Sequence, residues 1–185
     1  MLVLASASPR RHELLSNAHI SFEVHPAHIN EDPLPNEPAK DYAERLAREK
    51  AEAISQQYPN NPVLGADTVV VIDNQILGKP VDPSDAARML RLLSGRTHQA
   101  ITGVCIAING QHTVASATTS VTMTEISEQE IADYVSTGEP MDKAGAYAIQ
   151  GIASRWIPRI EGDYSNVVGL PVGLVYRMLR EAGVI

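Results

Sequence analysis

The chain has 185 residues, and its 15 Lys and Arg against 22 Asp and Glu give a formal net charge of -7. This length fits one domain or two small lobes around one cleft, and 44% hydrophobic residues suffice for a packed core, which excludes a disordered chain. An acidic chain is poorly suited to binding a nucleic-acid polymer or an anionic membrane, although it can bind a small anion where its cations are gathered.

The N-terminal part of the chain predicts short strands and helices around one long loop. Residues 2–5 form an apolar run typical of a buried strand, and Ser8 followed by proline predicts the start of a helix. A second strand is expected at residues 21–25. Segment 26–38 holds four prolines and no apolar period, so we expect a surface loop there, followed by a helix from Ala39.

The rest of the chain alternates strand and helix patterns. The predicted elements are, in chain order, a strand at 63–72 interrupted at 65–68, a hairpin strand at 75–77, a helix from Asp82 to Gly95, paired strands at 100–108 and 113–123, a helix from Ser127 to near Gly138, and a last helix from Pro171 to Gly183. Residues 152–160 follow no assignable pattern. This alternation predicts an α/β fold with a mixed sheet and flanking helices.

Several features point to a reducing compartment and argue against some kinds of site. The single cysteine, Cys105, excludes an intramolecular disulfide and a cysteine-rich zinc site. No apolar run approaches the ~20 residues that span a bilayer, and Arg10 and Arg11 follow the apolar start, unlike in a secretory signal. The six histidines lack metal-binding spacing. We therefore expect a cytoplasmic protein.

The segment from Ser6 to Arg11 is a candidate anion site. It combines the hydroxyls of Ser6 and Ser8 with the guanidinium groups of Arg10 and Arg11 at the predicted start of a helix. Free amides and the helix dipole favour an anion there, and arginine matches phosphate oxygens with a planar fork. The alternative is an ordinary capped helix with two solvated arginines.

Asp67 is the second candidate, because it stands inside an otherwise apolar strand in the sequence GADT. An ionised aspartate costs several kcal/mol when it is buried without a partner, so it must meet a metal, a cation or hydrogen-bond donors. The functional interpretation is a metal-binding carboxylate or a general base. The alternative is a structural aspartate that caps a turn.

Five further polar residues could reach a ligand. Lys79 is held between glycine and proline just after a strand, and Gln150 offers both a donor and an acceptor that suit a base edge. Lys50 follows two arginines on the predicted helix and could equally be solvated. Glu31 and Asp32 lie in the proline-rich loop, where acids are usually solvated but where a metal ligand is also often carried.

Taken in order, these segments resemble the Maf family of nucleoside triphosphate pyrophosphatases. The matching stretches cover nearly the whole chain, and the ordered set is highly specific although no single stretch is decisive. They are ASASPRRHELL, RLAREKA, LGADTVVV, LGKP, MLRLLSGRTHQAITGV, DKAGAYAIQG and GDYSNVVGLPV.

The resemblance implies one Maf-like domain over residues 1–185, with a mixed twisted sheet in an elongated, two-lobed α/β structure around a central cleft, usually as a homodimer. It also implies hydrolysis between the α and β phosphates of a nucleoside triphosphate, giving the monophosphate and pyrophosphate, with Mg²⁺ or Mn²⁺. The DKAGAYAIQG stretch resembles the branch that acts on dTTP and UTP, in a house-cleaning role.

The resemblance further implies a role for each polar position. Asp67 matches the proton acceptor and, with Glu31, a metal ligand, although Asp32 stays an alternative to Glu31. The other matching positions are Arg10, Thr68 and Gln150 for substrate specificity, and Ser6, Ser8, Arg11, Lys50 and Lys79 for phosphate binding. The alternatives in function are a non-catalytic nucleotide-binding regulator linked to septum formation, a phosphohydrolase that releases orthophosphate, and the 7-methyl-GTP branch of the family.

Overall fold

The chain forms a seven-stranded mixed sheet with flanking helices in the computed structural model, which describes residues 1–185. The strands are β1 (Leu2–Leu4), β2 (Phe22–Val24), β3 (Val63–Ile72), β4 (Gln75–Leu77), β5 (Thr97–Ile108), β6 (Gln111–Thr122) and β7 (Arg159–Glu161). Their order is β2-β1-β3-β5-β6-β7, and β4 pairs with β3. Strand β1 is parallel to β2 and β3, whereas β3–β4 and β6–β7 are antiparallel. The predicted α/β fold with a mixed sheet is confirmed.

Six α-helices and three short 3-10 helices complete the chain. The α-helices are α1 (Pro9–Asn17), α2 (Ala39–Ser55), α3 (Pro83–Leu93), α4 (Glu128–Ser136), α5 (Tyr164–Val168) and α6 (Val172–Glu181). The 3-10 helices are Glu139–Asp142, Ala144–Ala146 and Ile152–Trp156. None of the helices is long and apolar enough to cross a membrane.

The chain divides into two compact units. The first comprises residues 1–68, 102–117 and 169–185, and the second comprises residues 69–101 and 118–168. The description of the chain as a single domain with two lobes around a central cleft stays a prediction.

In the first unit, the sheet carries helices on both faces. Leu4 packs with Leu15 of α1 and Leu179 of α6, whereas its neighbour Val3 packs with Ala47 of α2. Successive side chains of a strand point to opposite faces, so α2 covers one face and α1 with α6 cover the other. Burial of both faces explains why β1 is apolar throughout.

The second unit has its own core, built by α3, α4 and the 3-10 helices. Met89 and Leu90 of α3 pack there with Tyr134 and Trp156, whose rings meet edge to face with centroids 5.3 Å apart. Met89 and Leu90 therefore belong to the core of the second unit.

Two features of the fold differ from the sequence prediction. Strand β3 continues through Gly65, where the sequence pattern predicts an interruption of the strand. Residues 152–168, for which no element is predicted, form a 3-10 helix, strand β7 and the short helix α5. Three-residue strands and single helical turns carry too little periodicity to be recognised in a sequence.

Candidate active site

Lys50 joins two acidic side chains that are far apart in the sequence. Its Nζ donates to Oδ1 of Asp67 at 2.6 Å and lies 2.8 Å from Oε1 of Glu31. Lys50 and Asp67 are both 8% exposed, so their ion pair lies largely out of water. Helix α2, strand β3 and the proline-rich loop thus each supply one predicted site residue to a single cluster.

Glycines let α2 lie close enough to the sheet for this contact. A methyl group on Gly65 would overlap the carbonyl oxygen of Ala47, and a methyl group on Gly103 in β5 would overlap the backbone of the same helix. Asp67 is two residues beyond Gly65 and therefore on the same face of β3, while Lys50 is one helical turn beyond Ala47. The glycines thus bring Lys50 over Asp67.

The proline-rich loop is tied to α2, which places Glu31 at the cluster. The hydroxyl of Tyr42 donates to the main-chain oxygen of Glu31 at 2.7 Å, and Arg45 Nη2 donates to that of Asp32 at 3.2 Å. Only Glu31 brings its carboxylate to Lys50, whereas the contacts of Asp32 are made by its main chain. The geometry favours Glu31 over Asp32 as the acid of the site.

Arg11 is a buried cation held by neutral groups. Its Nε donates to the Gly169 carbonyl at 2.8 Å, Nη1 to Ser6 Oγ at 3.0 Å and Nη2 to Thr68 Oγ1 at 3.1 Å. Burial lowers the pKa of Arg11, and the charge of nearby Asp67 opposes this effect. No acidic side chain pairs with it directly, so its charge is available to an anion.

Helix α1 begins where the sequence predicts, but the hydroxyl group of its N-cap residue does not cap the helix. Ser8 is the N-cap and proline follows it, yet the Ser8 side chain makes no capping hydrogen bond. Instead, the Ser8 amide donates to Ser6 Oγ at 3.2 Å. Arg10 is half-buried in the first turn. The Ser8 hydroxyl therefore stays available to a ligand.

The hydroxyl group of Thr68 is held beside Arg11 by the hydroxyl group of Thr102. Its Oγ1 lies 2.9 Å from Oγ1 of the buried Thr102 and 3.2 Å from the Gly169 carbonyl oxygen. Thr102 and Gly169 also line this site, although neither stands out in the sequence as a candidate. Gly169 lies within the matched stretch GDYSNVVGLPV, which is the one signal that could have singled it out.

Lys79 and Gln150 belong to the second unit. Lys79 follows β4, and Gln150 lies in the turn between two 3-10 helices; both are exposed. Their roles in phosphate binding and in substrate specificity stay predictions.

The carboxylates of Asp67 and Glu31 fit a hard divalent cation. No group of three or more His, Cys, Asp and Glu side chains in the chain is arranged to hold a metal ion by itself. Mg²⁺, however, is commonly held by one or two carboxylates together with waters and substrate phosphates. Two carboxylates that converge on one ammonium group provide this kind of donor set.

Comparisons with known proteins agree on one family. A family model described as "Maf-like protein" matches residues 1–182. A protein of Koribacter versatilis named dTTP/UTP pyrophosphatase is 59% identical over 184 residues, which cover 100% of this chain and 95% of the relative. Proteins with the same name from Anaeromyxobacter dehalogenans strain 2CP-C (49% identical, 98% of this chain, 94% of the relative) and Geobacillus sp. strain WCH70 (46%, 98% and 98%) are also similar.

Proposed function

The chain belongs to the Maf-like family, and from this premise we propose that it hydrolyses dTTP and UTP to the nucleoside monophosphate and pyrophosphate. The observation that carries the proposal is the pairing of a buried Lys50–Asp67 ion pair with a buried Arg11 that has no acidic partner. Buried charges are costly, and they are retained where a ligand or a reaction requires them.

Phosphate binding is assigned to the segment at the start of α1. The Arg11 guanidinium has five N–H donors, of which the protein engages three, so others remain for phosphate oxygens. Ser8 and Arg10 stand in the cap and first turn of the helix, where the dipole favours an anion. The substrate's negative charge would supply the missing partner of Arg11.

The proton transfer is assigned to Asp67. Its carboxylate accepts a proton from a water molecule whose oxygen attacks the α-phosphorus, the bond from that phosphorus to the bridging oxygen breaks, and pyrophosphate leaves. Lys50 orients the carboxylate through its 2.6 Å contact. The developing charge on the leaving group is stabilised by nearby cations, which act more strongly in a site that excludes water.

Asp67 and Glu31 would hold a divalent cation, Mg²⁺ or Mn²⁺. When bound, such an ion supplies charge neutralisation on the phosphates. Lys79, matching the family's phosphate-binding lysine, would add to the positive charge. The homodimer, the cytoplasmic location and the house-cleaning role that the resemblance implies stay predictions.

Selection of the base is assigned to Gln150, Arg10 and Thr68. Thymine and uracil both present a carbonyl–NH–carbonyl edge, which one amide side chain and backbone groups can match. A site whose polar groups pair with one edge once the substrate covers them rejects other bases strongly.

The test is a panel of triphosphates with separate readouts for pyrophosphate and orthophosphate, in Mg²⁺ or Mn²⁺. The panel contains dTTP, UTP, CTP, 7-methyl-GTP and modified pyrimidine triphosphates. We expect pyrophosphate from dTTP and UTP, and we expect Gln150→Ala to reduce the preference for them over CTP more than it weakens binding.

Each alternative has its own outcome in this assay. Binding without any product would indicate the regulator, orthophosphate would indicate another phosphohydrolase, and a preference for 7-methyl-GTP would indicate the other branch. An unchanged substrate profile in Gln150→Ala would contradict the role of that residue.

A further inference from the structure

We propose that Arg45 is a positioning residue for the metal site, because it fixes the proline-rich loop at the place where Glu31 meets Lys50. The inference rests on the proposed function, in which Glu31 helps to hold the divalent cation. Arg45 itself touches neither Lys50 nor Asp67 and acts only through the loop.

Arg45 of α2 forms a bidentate ion pair with Glu37 of this loop. Arg45 Nε lies 2.6 Å from Glu37 Oε1, and Nη2 lies 2.8 Å from Oε2, so the pair is bidentate. The two side chains are only 17% and 8% exposed. Hydrogen bonding from Arg45 lowers the pKa of Glu37, which keeps the carboxylate ionised. Shielded bidentate pairs are stronger and more directional than ordinary surface ion pairs.

The same arginine connects this pair to the loop's backbone. Glu37 Oε2 accepts a hydrogen bond from the Leu34 amide at 3.0 Å, and Arg45 Nη2 also reaches the Asp32 carbonyl at 3.2 Å. Glu49, one turn further along α2, contacts Arg45 Nη1 at 3.3 Å and steadies the guanidinium. The loop is thus fixed on both sides of residues 33–36.

Glu31 depends on this support because the loop that carries it sets the position of its carboxylate. The side chain is 52% exposed, so water screens its ion pair with Lys50 from the glutamate side. Its backbone is held by the Tyr42 hydroxyl, which donates to the main-chain oxygen of Glu31 at 2.7 Å. Loss of the Arg45 contacts would release the loop into many conformations, few of which place Glu31 near Lys50.

The experiment replaces Arg45 with Met, which keeps much of the apolar stem and removes the guanidinium. Pyrophosphate release from dTTP is measured against Mn²⁺ concentration, and Mn²⁺ binding to the protein alone is measured by electron paramagnetic resonance. We expect half-saturation to need about ten- to hundredfold more Mn²⁺ in both measurements, as when outer-shell partners of a metal ligand are removed, whereas kcat at saturating Mn²⁺ stays within about threefold.

Two further variants distinguish positioning from general loss of stability. The double variant Arg45→Met with Glu31→Gln should bind Mn²⁺ no more weakly than Glu31→Gln alone, because the arginine acts through that glutamate. Arg91→Met serves as the control for removing a bidentate arginine away from the loop, since Arg91 pairs with Glu128 at 2.8 Å through both Nε and Nη2, although this pair is more exposed than that of Arg45. Its Mn²⁺ dependence should equal that of the unaltered protein.

Three results would overturn the proposal: unchanged Mn²⁺ affinity in Arg45→Met, the same loss in Arg91→Met, or fully additive losses in the double variant. Hydrogen exchange provides a readout independent of activity, because the Leu34 amide should exchange faster in Arg45→Met and at the normal rate in Arg91→Met. If the unaltered protein bound Mn²⁺ but released no pyrophosphate, the proposed function would fail while the binding and exchange data still decided the role of Arg45.

Discussion

Three ionised side chains, Arg11, Lys50 and Asp67, are buried in this molecule, and all three lie at the candidate site. The other Asp, Glu, Lys and Arg side chains stay at least partly exposed. Burial of charge opposes folding unless partners compensate for the lost hydration. Lys50 and Asp67 compensate each other, whereas the hydrogen-bond partners of Arg11 are neutral. This difference is the basis for proposing proton transfer at Asp67 and anion binding at Arg11.

Asp67→Asn should remove most of the turnover while the fold persists. The amide keeps an oxygen that can accept from Lys50 but cannot take a proton, so we expect kcat for dTTP to fall about a hundredfold or more, within the usual contribution of general base catalysis. Circular dichroism and steady-state kinetics check this. Asp133→Asn, at an exposed position of α4, is the control, and a kcat within a few-fold of normal in Asp67→Asn would refute the role.

His98 should make the protein less stable in mild acid. Burial lowers the pKa of His98 to about 4, below its ordinary value of 6.5, so the unfolded chain binds a proton that the folded chain refuses. The stabilising contribution is therefore present above pH 6.5 and is lost as the pH falls from 6.5 towards 4. Linkage gives a loss of about 2 kcal/mol between pH 7 and pH 5.

Urea unfolding of the unaltered protein and of His98→Gln at both pH values measures this loss. The decrease in the free energy of unfolding from pH 7 to pH 5 should be smaller in His98→Gln by about 2 kcal/mol. His28→Gln, at an exposed position, should retain the full decrease. Equal pH dependence in all three proteins would show that His98 is not the responsible group.

At the scale of elements, the contact of α2 with the sheet requires glycine in two strands. Gly65→Ala should lower the free energy of unfolding by about 1–3 kcal/mol or more, because the added methyl overlaps the Ala47 carbonyl and pushes α2 away. Activity should fall as well, since Lys50 moves with the helix. Gly173→Ala in α6 is the matched control, because its methyl meets no atom within 4 Å and should stabilise the protein by about 0.4–1 kcal/mol. Denaturant unfolding of both variants decides the question, and equal stability would contradict the close approach.

The sequence predicts helix starts well because capping is local. Asp82 accepts a hydrogen bond from the Asp85 amide, and Ser127 forms the full capping box with Glu130, as expected. The continuity of β3 is not predictable in this way, because a glycine at position 65 indicates, from the local sequence, an interruption of the strand. Its role becomes visible only when α2, distant in sequence, lies against the strand.

The same distinction holds for the site. Asp67 and Arg11 stand out locally, one as an acid within an apolar strand and the other beside hydroxyls at a helix start. Tyr42 and Arg45 look like ordinary residues of an exposed helix face, and nothing near them in the sequence indicates the carbonyls of the loop that they bind. Thr102 lies within an apolar strand, and nothing near it in the sequence indicates its contact with Thr68.

The molecule as a whole has a net charge of -7, so an anion-binding site requires a local concentration of its cations. The sequence predicts a positive pocket within a negative protein. In the first unit, Arg11 lies within the electrostatic reach of Asp67 and Glu31, but these two acids already pair with Lys50. Excess positive charge at this part of the molecule therefore comes from Arg11, with half-buried Arg10 beside it.

The rotation of α2 about its own axis determines all the contacts that this helix makes around Lys50. Its faces simultaneously bind the loop through Arg45, contact Gly65 through Ala47 and present Lys50 to Asp67. One residue inserted between Ala47 and Lys50 would turn the following part of the helix by about 100° and point the ammonium group away from both acids. An insertion beyond Ser55, where the helix ends, would leave this register intact, whereas the interval from Arg45 to Lys50 tolerates no change in length.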